Sequence, residues 1–204
     1  MPHLTPAQRR IHEAALRLFA TRGVTDLSIS DLALEAGVAR GTVYNNVQNV
    51  DKLFETVAAH LAAEMHERVK KSFEEVVDPA HRLANGIRFF IRRAHEEPQW
   101  GTFIQRFAMS TASLREMFIS QATQDLLEGC ASGRYSFRQE QLLSVLTLIS
   151  SAVLGAMFLV REGHRGWLEA GTDTTELLLK ALGIPGEEAA QLAIRELPAL
   201  PELD

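Results

Sequence analysis

The stretch Ser28–Val47, SISDLALEAGVARGTVYNNV, decides how this chain is read. Ser28 is placed to cap a short helix by accepting a hydrogen bond from the Asp31 amide, with Asp31 answering in return. Ile29, Leu32 and Ala33 recur at helical spacing and face inward, and Ala36 is small enough to let a second helix approach. Gly37 supplies the left-handed conformation of a tight turn, and Val38 plugs its corner. A second short helix follows over about Arg40–Val47. Val43 and Val47 tuck beneath it, while Gly41, Thr42, Asn45 and Asn46 point outward. This is the layout of a helix-turn-helix whose second helix enters the major groove of DNA. The outer residues suit that work, because Asn reads adenine edges, Arg reads guanine, and Gly or Thr permits close approach. Tyr44 is long enough to reach a phosphate oxygen. The alternative is a buried helical hairpin with a solvated outer face, which fits poorly with so few long charged side chains there.

Upstream, Thr5 and Pro6 mark a helix start, and Ile11, Ala14, Ala15, Leu18 and Phe19 form one buried stripe before Gly23 ends the element. Downstream the pattern stays helical. An amphipathic stretch over Val50–Val76 is broken by Asp78-Pro79, and Pro79–Glu97 follows as far as Pro98. Helices are expected near 100–109, 112–130 and 139–162. Asp173 with Glu176 reads as a capping box for a helix closed by Gly183, and a last short helix covers Glu187–Glu196 before the tail PALPELD. The predicted fold is all-α. A three-helix DNA-binding domain over residues 1–50 precedes a larger helical regulatory domain over 51–204.

Composition narrows the function. Hydrophobic residues make up 46% of the 204 and charged residues 23%, the balance of a globular protein with a sizeable core. The net charge of −5 argues against a protein that coats nucleic acid without regard to sequence. Residues 1–52 carry six Lys/Arg against five Asp/Glu, a net of +1, which leaves −6 for the remainder. A near-neutral head still binds a specific site through a few placed contacts. The single cysteine, Cys130, fits a reducing compartment. The start MPHLTPAQRR has no apolar stretch behind a basic cap, so a cytoplasmic location is expected.

The first fifty-odd residues resemble the TetR family of bacterial transcriptional regulators. The resemblance rests on Ile11, Ala14, Ala15, Leu18, Phe19 and Gly23, then Ser28, Leu32, Ala33, Ala36-Gly37-Val38, Gly41-Thr42, Tyr44 and Leu53. It implies that Ser28, Thr42 and Tyr44 contact the DNA backbone and that Arg40, Gly41, Asn45 and Asn46 face bases. Two positions depart from the family pattern. Ala39 stands where a capping serine is frequent, and Val50 where a lysine usually meets phosphate. Lys52 lies two positions on, about 200° around a helix, an imperfect substitute that completes the expected contact set. The loss of two phosphate contacts is expected to weaken binding and flatten its salt dependence.

Gln141–Val160, QLLSVLTLISSAVLGAMFLV, has no charged residue and is about 30 Å long as a helix, enough to span a bilayer. Ser144, Thr147, Ser150 and Ser151 dilute its apolarity and no aromatic belt flanks it, so a packed helix is expected and no membrane partner. Thr147, Ser151 and Gly155, spaced by four, form a stripe of small residues for close helix approach. Together with Leu178 and Leu182 on a leucine-rich helix that also carries Leu177, they make the candidate homodimer interface. Two heads in such a dimer sit about 34–36 Å apart, one DNA turn, and so call for a palindromic operator in double-stranded DNA.

The resemblance also implies a cavity for a small-molecule effector. Six of the fourteen aromatics fall at Phe89, Phe90, Trp100, Phe103, Phe107 and Phe118. The candidate lining is Phe89, Arg93, Trp100, Phe103, Ile104, Phe107, Met117, Met157, Phe158 and Arg161, with Met109, His95, Gln105 and Arg106 nearby. No metal site is expected, since His60 and Glu64 share a helix face without a third ligand. No cofactor or catalytic motif is present, so an enzyme is not expected. The predicted function is a homodimeric repressor released from its operator by a small apolar or amphipathic ligand. The alternative is a scaffold dimer with weak or lost DNA binding.

Overall fold

The computed structural model describes residues 4–47, 49–73 and 76–201, and these contain ten α-helices and no strand. Helix α1 (Pro6–Arg22) opens on a reciprocal box. The Gln8 amide donates to Thr5 Oγ1 at 3.2 Å, and the Thr5 amide donates to Gln8 Oε1 at 3.0 Å. It closes at Gly23, whose φ of 69° is left-handed. Helix α2 (Ile29–Ala36) begins as expected with the Asp31 amide donating to Ser28 Oγ at 3.1 Å. The return half of that cap does not form, because the Asp31 carboxylate accepts from Arg22 Nη1 at 2.8 Å instead. A charged neighbour on α1 outcompetes a backbone amide for it. Gly37, at φ 61°, makes the turn into α3 (Arg40–Asn46).

A short 3-10 turn, Val50–Lys52, leads into α4 (Leu53–Ser72), which is shorter than the expected 50–76 at both ends. Glu74 and Glu75, placed by periodicity in that helix, lie outside the described residues, as do the last three residues of the tail. Asp78 caps α5 (Pro79–Glu96), and α6 (Pro98–Phe107) starts afresh at the next proline. Then come α7 (Ala112–Ala131), α8 (Leu142–Arg161), α9 (Trp167–Ala181) and α10 (Gly186–Ile194). The Asp173 capping box is not formed. Helix α9 begins at Trp167 behind Gly166, so Asp173 lies inside it.

Helices α1–α3 form a head, and α4 runs from it into the body. There α5 is central, packed on α6, α7, α8 and α9. The uncharged helix α8 is long and apolar enough to cross a membrane by length and composition alone. Here it buries Leu146, Ile149, Val153, Ala156, Met157 and Val160 against its neighbours as a core helix. Its opposite face, carrying Leu143, Leu148, Phe158 and Leu159, stays open.

Candidate nucleic-acid interface and ligand cavity

The head is built to hold α3 outward. Ile11, Ala14, Ala15, Leu18 and Phe19 of α1 pack with Leu32, Ala33 and Ala36 of α2 and Val43 of α3 in the core. Three arginines of α1, which fall off its apolar stripe, fasten the motif from outside. Arg10 Nη2 donates to the Ala36 and Gly37 carbonyls at 2.9 and 3.1 Å, satisfying the end of α2 at the turn. Arg17 pairs with Glu35 at 2.7 Å and Arg22 with Asp31. The hydrogen bond to Asp31 raises the Arg22 guanidinium further and holds that carboxyl below the usual carboxylate range.

On this frame Arg40, Gly41, Tyr44 and Asn45 are exposed together, Tyr44 to 65%. A side chain at Gly41 would meet nothing within 4 Å, so the space above it is open. Thr42 is half-buried and Ser28 is exposed at the head of α2. Asn46 is half-buried, and its amide Nδ2 donates back to the Thr42 carbonyl at 2.8 Å. Ala39 gives α3 no side-chain cap, and Lys52 is exposed in the 3-10 turn before α4.

The body holds a cavity of about 50 Å³ between α4, α5, α7 and α8. Its apolar lining is Met65, Val69, Phe73, Leu83, Gly86, Ile87, Phe90, Met117, Phe118, Ala122, Ile149 and Val153; its polar lining is His66, Arg82, Gln121, Asp125 and Ser150. Of the expected lining only Met117 is there. Phe89 and Met157 are sealed in the core. Arg93 is a buried staple: Glu64 of α4 accepts from it at 2.8 Å, Glu97 at 3.0 Å, and its guanidinium lies 4.6 Å from the Trp100 ring. Arg161 bonds to Gln105, tying α8 to α6. Phe158 is 51% exposed on the outer face of α8.

Phe103, Ile104 and Phe107 have another place. Phe103 and Phe107 meet Phe54 of α4 at 5.7 and 5.0 Å between ring centres, and Phe19 of α1 packs on Phe54 at 5.2 Å. Beside them Ile104 is fully buried. This aromatic joint seats the head on the body. Arg106, next to Phe107, donates to the Thr21 carbonyl at the end of α1. Sequence reasoning missed the joint, although the helical spacing of Phe103 and Phe107 marked an apolar face.

The expected dimer stripe is divided. Thr147, Ser151 and Gly155 are exposed, and a side chain at Gly155 would meet nothing within 4 Å. Leu178 and Leu182 are buried inside the protomer, because that face of α9 packs in the core. The open leucines of α9 are Leu168 and Leu177.

Residues 11–57 match the family described as bacterial regulatory proteins, tetR family. Residues 78–195, more than half of the chain, match the tetracyclin repressor-like C-terminal domain. The chain belongs to the TetR family. It is a helix-turn-helix transcriptional regulator, and its two matched domains are those of DNA-binding regulators rather than enzymes. Its sequence is similar to the HTH-type transcriptional repressor AcnR of Corynebacterium jeikeium, 26% identical over 197 residues, covering 88% of this chain and 95% of that protein. An uncharacterized HTH-type transcriptional regulator from Haemophilus influenzae is 37% identical over 71 residues, 35% of this chain and 38% of its own length. Among solved TetR-like structures, ligand-free RolR superposes with a TM-score of 0.71 at 24% identity, covering 95% of this chain and all of that one. The fatty acid degradation regulator FadR of Bacillus halodurans gives 0.75 at 16%, covering 89% and 98%. At these identities the likeness is one of fold.

Proposed function

We propose that this protein is a homodimeric repressor that leaves a two-fold operator when a small ligand occupies the body cavity. In this reading residues 1–50 are the DNA-reading domain and residues 51–204 the regulatory domain, working in the cytoplasm. Arg40, Gly41 and Asn45 face base edges, and Asn46 joins them if its amide turns from Thr42. Ser28, Thr42, Tyr44 and Lys52 touch phosphate. Dimerisation uses the open face of α8 with Leu168 and Leu177 of α9, and it sets the heads about one DNA turn apart.

The observation that carries the reading is the double role of α4. Met65, His66 and Val69 line the cavity, and Phe54 on the same helix is the seat of the head. A cavity of about 50 Å³ is too small for most ligands as it stands, so a ligand displaces a wall. Displacing α4 moves the head, and the change in DNA affinity is bounded by the ligand's preference for the displaced state. RolR crystallised with resorcinol supports a small ring as occupant.

Footprinting on the DNA flanking its own gene, with and without candidate ligands, tests this. A protected palindrome that vanishes with ligand is expected, and a dimer giving no specific footprint would favour the scaffold reading raised by Ala39 and Val50. Tyr44→Phe should weaken operator binding while leaving the dimer intact. Gly155→Trp should yield a folded monomer by light scattering, since nothing in the protomer opposes the new ring.

A further inference from the structure

The cavity's polar wall has already used most of its donors. Arg82 Nε donates to Asp125 Oδ1 at 2.6 Å, Nη1 to the Val76 and Val77 carbonyls at 3.2 and 2.7 Å, and Nη2 to Glu128. The guanidinium therefore has no open fork with which to take a carboxylate. Gln121 Nε2 donates to the same Asp125 Oδ1 at 3.2 Å, and Ser150 Oγ donates to the Leu146 carbonyl at 2.8 Å. His66 sits beside them with Nδ1 3.3 Å from Ser120 Oγ.

What remains toward a ligand includes three acceptors, namely Asp125 Oδ2, which takes no bond among the described residues, Gln121 Oε1 and the Ser150 hydroxyl oxygen, with His66 Nε2 as the other ring nitrogen of that side chain. Asp125 is only 1% exposed, so its free oxygen has little access to bulk water. Arg82 is shared by two carboxylates, Asp125 in the cavity wall and Glu128 outside it, so its charge is already matched. Burial pushes the Asp125 carboxyl up and Arg82 pulls it down, so a second donated hydrogen bond would favour its charged form.

We infer that the effector is a small, single-ring or similarly compact apolar molecule bearing a hydrogen-bond donor, a hydroxyl or an ammonium group, and that molecules ending in a carboxylate are rejected. The inference rests on the cavity being the effector site. The body of the ligand lies among Phe90, Phe118, Ile87 and Val153, Met65 and Met117 adjust to its shape, and its donor meets Asp125. An incoming carboxylate would face an existing carboxylate and a guanidinium already engaged.

The test is calorimetric binding of phenol, benzylamine and benzoate to the intact dimer. Phenol or benzylamine should bind at least tenfold tighter than benzoate, and which of the two leads separates a hydroxyl effector from an ammonium one. Asp125→Asn keeps the shape and removes the charge, so it should shrink that preference at least tenfold. If the variant does not fold, the wild-type ranking decides alone. Benzoate binding as well as the other two, no binding by any of the three, or an unchanged preference in a folded Asp125→Asn variant overturns the inference. A gel shift with the bound compound separates the two readings. If a donor compound binds but leaves the DNA complex intact, ligand-driven release fails while the ligand class stands.

Discussion

Two internal contacts of this protein are built by different chemistry. The joint between head and body is dry and aromatic, with Phe19, Phe54, Phe103 and Phe107 in one group. The contact of α5 with α9 places polar groups among its apolar ones. Arg92 lies 5.5 Å from the Trp167 ring, and a side chain on Gly171 would sit 3.6 Å from Arg88 Cγ. These pairs make the helices antiparallel in matched turns, which brings Asn85 level with Thr175. Both are fully buried, and neither the Asn85 amide nor the Thr175 hydroxyl has a partner among the described residues. Arg88 is buried there as well, with no carboxylate partner among the described residues and with one bond to the Arg195 carbonyl. The joint gains from every atom it hides, whereas the α5–α9 layer leaves polar groups unpaired at about 1–3 kcal/mol each. A regulator of this design seats its head on apolar packing and carries its polar cost on the far side of α5.

The contrast can be broken by three substitutions, taken from the largest effect down, and by a change of pH. Phe103→Ala empties the centre of the joint and should cost about 3–5 kcal/mol in denaturant unfolding. It should also blunt ligand release of DNA. Asn85→Leu should have the opposite sign and stabilise the protein by about 1–3 kcal/mol. A loss of stability there would mean the amide is satisfied by ordered water and the layer is not costly. Arg106→Ala removes only a peripheral tie to Thr21, and less than about 1 kcal/mol should be lost.

The fourth test concerns pH. His12 of α1 stacks edge-on against His60 of α4 at 5.8 Å, and burial, with a lesser contribution from His60, lowers His12 from its ordinary 6.5 to about 4. Between those values the unfolded chain binds a proton that the folded chain refuses. The His12 contribution should therefore lower stability as pH drops from about 6.5 to about 4 and add no further loss below. His12→Gln should show a shallower fall over that window, and identical slopes would remove His12 from the account.

The head was legible because its signals are local. Thr5, Gly23, Ser28 and Gly37 each act within a few residues, and all four appear where capping and turn chemistry puts them. Errors came where a local rule met a distant partner, as when Asp31 turned to Arg22 and Asp173 fell inside a helix. The cavity was not legible. Periodicity showed that Trp100, Phe103, Ile104 and Phe107 share a face, but not whether that face meets a void, a core or another domain.

The sequence by itself determined that the chain is helical, that a helix-turn-helix opens it, and that Gly41, Tyr44 and Asn45 stand on the outer side of the second helix. Those properties follow from spacing along one or two elements. Only the tertiary structure decided that Phe103 and Phe107 join head to body, that Leu177 rather than Leu178 is open on α9, and that Asp125 lines the cavity. Each of these depends on which helices become neighbours, and packing among ten helices selects partners by fit across elements far apart in the chain.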